Sequence, residues 1–178
     1  MMRTLLIIFC LVAGLYGCMK EWTTSQPNQT FDVPSTWYIC LDLPKEHLSD
    51  AIDATLLWDR SLHQWKHIQP VTGLSGPACR VRVFEVDAYP IDDSEQTALA
   101  WTSMIGGQEI MMKKGRYEQD VKGVLLHELG HAFGAQHVPG TLMNPGLVHS
   151  TPRCPDATTV AQVAAWNNVN LELLTWCW

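Results

Sequence analysis

The sequence predicts an α+β fold built as one domain. Three observations support this prediction: a strand pattern followed by a helical pattern opens the folded part, further strand patterns stand together in the middle, and two helical patterns follow them. A length of 178 residues suits one domain with a sizeable buried core. We therefore expect a single domain without an internal repeat.

The first half of the chain predicts a strand, a long helix and a second strand. Trp37–Leu43 is rich in aromatic and branched side chains and is stopped by Pro44, which indicates a strand. From Glu46 to about His67 the apolar residues recur at helical spacing and cover a broad face. Arg80–Ala88 alternates apolar and polar residues, as a half-buried strand does.

The second half predicts two strands and two helices. Thr97–Ile105 indicates a strand, and Glu109–Lys114 can pair with it as a hairpin after two glycines. A helix is expected to begin near Glu118–Val121 and to run to Phe133, and a last helix covers Asp156–Leu174.

Residues 1–17 have the layout of an export signal. An early arginine precedes an apolar run that is too short to span a membrane as a helix. Leu15–Cys18 resembles a bacterial lipobox, so Cys18 is predicted to carry a lipid anchor, with plain secretion as the alternative. Residues 18–36 are polar and indicate a tether, and the domain covers 37–178. We expect an exported, membrane-anchored lipoprotein that faces the periplasm or the cell exterior.

Charge and cysteine content narrow the class of protein. A formal net charge of −6 argues against a nucleic-acid partner, because phosphate binding requires a basic surface. In an exported domain, the four cysteines beyond residue 18 predict two disulfides, with free buried thiols as the alternative. All three connectivities stay open among Cys40, Cys79, Cys154 and Cys177.

The segment HELGHAFGAQH at residues 127–137 has the spacing of a metal site. His127 and His131 are four residues apart, so on a helix both imidazoles project from one face. Glu128 then stands beside the ion, while Gly134 can end the helix in a left-handed conformation and let His137 return as a third ligand. Such a site suits Zn²⁺, which acidifies a bound water and polarises a carbonyl while Glu128 takes the proton. The sequence therefore predicts metal-assisted peptide hydrolysis.

The alternative is a helix end with incidental solvated histidines. HExxH extended by a glycine and a third histidine rarely arises by chance. His63 and His67 offer an internal comparison, because they are also four residues apart but no glutamate follows the first and no third histidine is suitably placed. We interpret that pair as surface residues beside Trp65.

With the following Thr141–Pro145 (TLMNP), the segment resembles the metzincin zinc peptidases, and most closely the matrixins. This family combines HExxHxxGxxH with a methionine turn below the zinc. The resemblance implies a twisted mixed sheet with one antiparallel edge strand, an active-site helix and a C-terminal helix. It implies one catalytic Zn²⁺ and these roles: ligands His127, His131 and His137, general base Glu128, and turn methionine Met143.

The resemblance also implies a substrate cleft. In metzincins the antiparallel edge strand pairs with extended substrate, and Ala98–Met104 is the segment that resembles it, with an interior strand as the alternative. Residues after the turn methionine wall the specificity pocket, and Leu147 with Val148 favours an apolar one. The predicted cleft residues are Ala98, Leu99, Ala100, Trp101, Pro145 and Leu147.

The chain departs from the matrixins in two loops. The loop before the edge strand lacks histidine, so a second zinc is not expected, and its acidic residues favour a solvated loop over a Ca²⁺ site. These acidic residues are Asp87, Asp92, Asp93 and Glu95. Pro152–Asp156 (PRCPD) resembles the matrixin cysteine switch but follows the catalytic helix, so a disulfide of Cys154, for example with Cys177, is favoured over inhibition of the zinc.

The predicted function is that of a zinc-dependent endopeptidase acting on protein or peptide substrates, with Glu128 activating the zinc-bound water. The first alternative is an exported zinc-binding surface lipoprotein without proteolytic activity. Glu128 argues against it, because a structural zinc site fills its fourth position with protein and has no use for a base. The second alternative is a disulfide-stapled surface protein with incidental histidines.

Overall fold

One sheet and three helices form an α+β fold. The computed structural model describes residues 36–73, 78–90, 98–103, 106, 108–146 and 152–177. The predicted signal peptide, Cys18 and the tether up to residue 35 lie outside the described residues, as do Leu147, Val148, Asp92, Asp93 and Glu95. The strands are β1 (Thr36–Asp42), β2 (His67–Thr72), β3 (Cys79–Val86), β4 (Ala100–Thr102) and β5 (Glu109–Lys113). The helices are α1 (Leu48–Leu62), α2 (Val121–Ala132) and α3 (Ala157–Asn167).

The sheet is mixed, with a single antiparallel pair. Its strand order is β2-β1-β3-β5-β4. The pairs β1–β2, β1–β3 and β3–β5 are parallel, whereas β4 runs antiparallel to β5 and lies at one edge. The α+β class, the pairing of β4 with β5 and the antiparallel edge strand are therefore confirmed.

Strand β2 was not predicted: the first helix was expected to run to about His67, the first residue of β2, and residues 68–72 were assigned to no element. Helix α1 ends at Leu62, and a turn leads into β2 from His67. Pro70 obscures the strand pattern, since proline cannot donate a ladder hydrogen bond. It is tolerated because β2 occupies the other edge of the sheet, where one side of the strand is unpaired among the described strands.

The core joins the sheet to α1 and α2. Ile39, Val83 and Met112 of the central strands are fully buried, as is Trp58 of α1. The indole Nε1–H of Trp58 donates to the carbonyl of Leu126 in α2 at 3.0 Å, so a buried donor is satisfied and the two helices are tied together.

Helix α3 is shorter than predicted. It ends at Asn167, and Asn168 takes a left-handed conformation with φ 53°. Asparagine tolerates this conformation better than most residues, and it stops the helix before Leu174. Leu171–Leu173 forms a separate 3-10 turn.

Two disulfides join the described residues. Cys40 of β1 pairs with Cys79 at the start of β3, and Cys154 pairs with Cys177. Two disulfides are typical of an oxidising, extracellular environment. None of the helices described is both long and apolar enough to cross a membrane.

Candidate metal centre

Helix α2 carries the first two predicted ligands on a nearly buried element. Its N-terminus is capped by Asp120, whose side chain accepts from the backbone N–H of Gly123 at 3.1 Å. Every residue from Gly123 to Gly130 is buried, including His127 and Glu128. A helix that is apolar around most of its surface belongs in a core, so the two polar side chains need specific partners.

Gly134 turns the chain back toward the helix, as the sequence predicted. Its φ of +105° lies in a region that residues with a side chain rarely adopt. The N–H of Ala135 donates to the carbonyl of Gly130 at 2.8 Å, which closes the helix end. His137 then returns to the face that presents His127 and His131.

The three histidines converge through their Nε2 atoms. His137 Nε2 lies 3.2 Å from His127 Nε2 and 3.1 Å from His131 Nε2. Two nitrogens that each lie 2.0–2.1 Å from a tetrahedral ion are separated by about 3.3 Å. The separations are therefore close to those of imidazoles that share one ion, and this group can hold a metal.

The other ring nitrogens fix the tautomers. His127 Nδ1 lies 2.9 Å from the carbonyl oxygen of Leu142, and His131 Nδ1 lies 2.9 Å from that of Ala135. A carbonyl only accepts, so each Nδ1 carries the proton and each Nε2 of a neutral ring presents a lone pair. A proton on His137 Nε2 can satisfy only one of these two lone pairs, whereas a cation satisfies both. The donor set thus fits a metal ion.

Desolvation favours the neutral form of the three rings. Desolvation lowers the pKa of His127, of His131 and of His137 below the ordinary histidine value. Glu128 opposes this effect on the pKa of His131. Neutral imidazoles are the form that binds metal ions.

Glu128 stands beside the histidines with a buried carboxylate. It is 8% exposed, and its Oε2 accepts from the Thr102 hydroxyl at 2.5 Å. Burial raises the pKa of the Glu128 carboxyl, while the neighbouring His131 and the Thr102 hydrogen bond lower it. A carboxyl whose pKa is raised is a better base for a proton taken near neutral pH.

Met143 lies beneath the helix turn that bears the histidines. It is fully buried, and a Cβ added to Gly130 would overlap its Sδ. The backbone holds the turn, because the N–H of Val138 donates to the Met143 carbonyl at 2.8 Å. Its role as the turn methionine stays a prediction.

Four of the six predicted cleft residues lie in β4 or just before it. Ala100 and Trp101 belong to β4, and Ala98 and Leu99 come just before it. The hydroxyl of Tyr89 donates to the Ala98 carbonyl at 3.3 Å and so fixes the approach to the strand. Pro145 is exposed.

In the acidic loop before the edge strand, the carboxylate of Asp87 lies 4.0 Å from Lys114 Nζ as a solvent-exposed ion pair.

The structure also bears on two predictions for residues outside the segment 127–137. Cys154 is bonded to Cys177, as favoured over a thiolate that caps a metal. His63 and His67 are exposed surface residues, as interpreted. His63 Nδ1 lies against the Arg60 carbonyl, and His67 Nδ1 lies 3.7 Å from Asp59.

Helix α3 holds the segment between His131 and His137 through two hydrogen bonds and one ring contact. The sequence analysis did not predict this support. Gln162 Oε1 accepts from the N–H of Gln136 at 2.6 Å, and Asn167 Nδ2 donates to the Phe133 carbonyl at 2.9 Å. The Trp166 ring covers Gly134 so closely that a Cβ there would overlap it.

The start of α3 supports the other side of the site. Asp156, the N-cap of α3, accepts from the N–H of Leu142 at 2.7 Å, and the Leu142 carbonyl faces His127 Nδ1. One short helix therefore steadies both backbone segments that orient the imidazoles.

Thr102 was also missed as a site residue, although it lies within the predicted edge-strand segment Ala98–Met104 and directly follows Trp101, a predicted cleft residue. The alternation of β4 contained a signal, since Thr102 shares a face with the buried Ala100 and is the polar residue on that face. The backbone carbonyls of Leu142 and Ala135 have no sequence signature at all.

No protein-family model and no curated protein matches this chain.

Proposed function

We propose that the protein is a zinc-dependent endopeptidase. The observation that carries the proposal is the convergence of three imidazole nitrogens beside a buried glutamate that is not one of them. His127, His131 and His137 would hold the ion. Three protein ligands fit a catalytic zinc with one open position, whereas structural zinc takes four.

When bound, zinc supplies a Lewis acid that polarises a carbonyl and acidifies water. This chain's own contribution is Glu128, which takes a proton at a carboxylate oxygen and passes it to the leaving amine. Its burial keeps the carboxylate out of bulk water, which favours proton transfer within the site. A site that only stores a metal has no use for such a group.

The substrate we propose is an extended peptide that adds to the edge of β4. Strand β4 is last in the sheet order, so its side away from β5 is unpaired by any described strand. An unpaired edge offers backbone donors and acceptors, which bind a peptide with little dependence on its side chains. Residue Thr102 of this strand touches Glu128, so such a peptide would lie next to the base.

The resemblance to metzincins and the cellular location belong to the same proposal. The motif, the antiparallel edge strand and the buried Met143 under α2 support a metzincin-like site. The two disulfides support export. The anchor at Cys18 and attachment to a membrane rest on the sequence of the export signal.

The experiment is cleavage of a mixed peptide library by wild type and by Glu128→Ala, each with its zinc content measured. We expect Glu128→Ala to keep its zinc and to lose activity by a factor on the order of 100 to 10,000, because one general acid–base group contributes about that much. Glu118→Ala is the matched control, since Glu118 accepts from the N–H of Gly115 away from the histidines and its loss should leave cleavage intact.

Two results would overturn the proposal. Cleavage by Glu128→Ala at the wild-type rate would remove the base from the reaction. A wild type that binds zinc but cleaves no member of the library would favour a zinc-binding surface protein instead.

A further inference from the structure

We propose that Thr102 is a positioning residue that holds the carboxylate of Glu128 for its work as a base, an inference that rests on the proposed function. Thr102 Oγ1 donates to Glu128 Oε2 at 2.5 Å, and the same Oγ1 lies 3.3 Å from the Glu128 carbonyl oxygen. A hydroxyl has one proton, and the shorter contact to the charged group takes it.

This bond gives the two carboxylate oxygens different roles. Oε2 is occupied by the hydroxyl, so Oε1 keeps its lone pairs for the proton that the base must accept. The last torsion of a glutamate side chain is broad and roughly two-fold, so an unheld carboxylate would sample many orientations. One donor on a strand removes that freedom before the substrate arrives, which is the preorganisation that a fast proton transfer needs.

Thr102 also stands where the base and the substrate strand meet. The N–H of Lys113 donates to the Leu99 carbonyl at 3.0 Å, and the N–H of Ser103 donates to the Glu109 carbonyl at 3.1 Å. Backbone groups alternate between the two sides of an antiparallel strand. Thr102, one residue before Ser103, therefore directs its own N–H and C=O away from β5, toward the open edge.

A peptide bound at this edge would thus pair with the backbone of Thr102, the residue that orients Glu128. A peptide paired with the Thr102 backbone would meet a base whose Oε2 the Thr102 hydroxyl already holds. The positioning role therefore requires no contact between the substrate and the Thr102 side chain.

The test compares Thr102→Val, which keeps the shape and removes the hydroxyl, with Thr102→Ser, which keeps the hydroxyl. We expect Thr102→Val to lower kcat on the order of 10- to 100-fold, the range for losing one hydrogen bond to a charged group, with KM and zinc affinity unchanged. Thr102→Ser should restore most of the lost kcat. Thr102→Ala, a second variant without a hydroxyl, should behave as Thr102→Val does.

Thr55→Val is the matched control. Thr55 is a fully buried threonine, whereas Thr102 is half-buried, and the Oγ1 of Thr55 donates to the Ala51 carbonyl at 2.9 Å inside α1. Loss of that hydroxyl should leave kcat at the wild-type value, so a fall seen only at position 102 reports on the site.

A second readout uses metal-free protein and no substrate. In the presence of a chelator, Thr102→Val should lower the thermal unfolding midpoint by more in the wild-type background than in Glu128→Ala, because the cost arises from a buried carboxylate left without its donor. Equal shifts in the two backgrounds would mean that the two side chains are not coupled, and would contradict the inference.

Kinetics then separate the two proposals. If wild type cleaves peptides and Thr102→Val keeps its kcat, or Thr102→Ser loses as much as Thr102→Val, the positioning role is wrong and the peptidase proposal stands. If wild type with bound zinc cleaves nothing, the proposed function is wrong and the positioning role falls with it.

Discussion

Gly130 and Met143 meet where α2 packs against the turn beneath it. A Cβ on Gly130 would overlap Met143 Sδ and lie 3.1 Å from its Cε. Glycine inside a helix is ordinarily a weakness, since alanine is preferred by about 1 kcal/mol. Here the missing side chain lets a buried thioether pack directly against the turn that bears His127 and His131.

We expect Gly130→Ala to destabilise the metal-free domain despite the higher helix propensity of alanine. Overpacking of a filled core costs about 1–3 kcal/mol, which exceeds the gain in propensity. Urea denaturation in the presence of a chelator measures the free energy of unfolding. Gly146→Ala is the control, because a Cβ there meets no atom nearer than 4.0 Å. A Gly130→Ala domain as stable as wild type would show that Met143 has room to move.

At the scale of elements, α3 steadies the return of the chain from His131 to His137. Gln162 binds the N–H next to His137, Asn167 holds the Phe133 carbonyl, and Asp156 holds the turn that faces His127. The disulfide between Cys154 and Cys177 ties the residues just before α3 to the chain beyond it. Helix α3 therefore contributes none of the three histidines but limits the positions that His127 and His137 can take.

We predict that Gln162→Ala weakens zinc binding about 5-fold, as expected for the loss of one hydrogen bond of about 1 kcal/mol that orders a ligand. Competition with a chromophoric chelator measures the affinity. Thr158→Ala on the same helix, at an exposed position, is the matched control and should bind zinc as wild type does. Equal affinities for Gln162→Ala and wild type would mean that His137 is placed without help from α3.

The elements differ in how far the sequence could predict them. Helix α2 and its glycine stop were predicted because helical spacing and a positive φ leave clear residue patterns. Strand β2 was missed because Pro70 breaks the pattern at an edge where the fold tolerates it. The end of α3 was missed because Asn168, an ordinary polar residue in the sequence, takes the left-handed conformation.

The residues of the candidate site also differ in how far the sequence could predict them. The three histidines and Glu128 lie within eleven residues, so the geometry of one helix and one turn brings them together. Thr102 and Gln162 come from β4 and α3, and only the tertiary packing brings them to α2 and its return segment. Backbone carbonyls that orient imidazoles are present in every residue, so no sequence pattern could single out Leu142 or Ala135.

At the scale of the whole molecule, the sheet edge at β4, helix α2 and the segment from His131 to His137 meet at the candidate metal centre. The core behind it is formed by apolar residues of the sheet, α1 and α2, and two disulfides reinforce the domain. Such a frame can hold three imidazoles close together before any ion binds, which lowers the ordering cost of binding.

The most direct test of the account is zinc content and peptide cleavage measured together on the purified domain, before and after chelation. We predict one zinc per chain, cleavage that is lost with the metal and returns when zinc is restored, and neither zinc nor cleavage in His131→Ala. His63→Ala, at the exposed pair, should behave as wild type. A folded wild-type domain without zinc, or cleavage that survives its removal, would contradict the assignment of these histidines as a catalytic metal site.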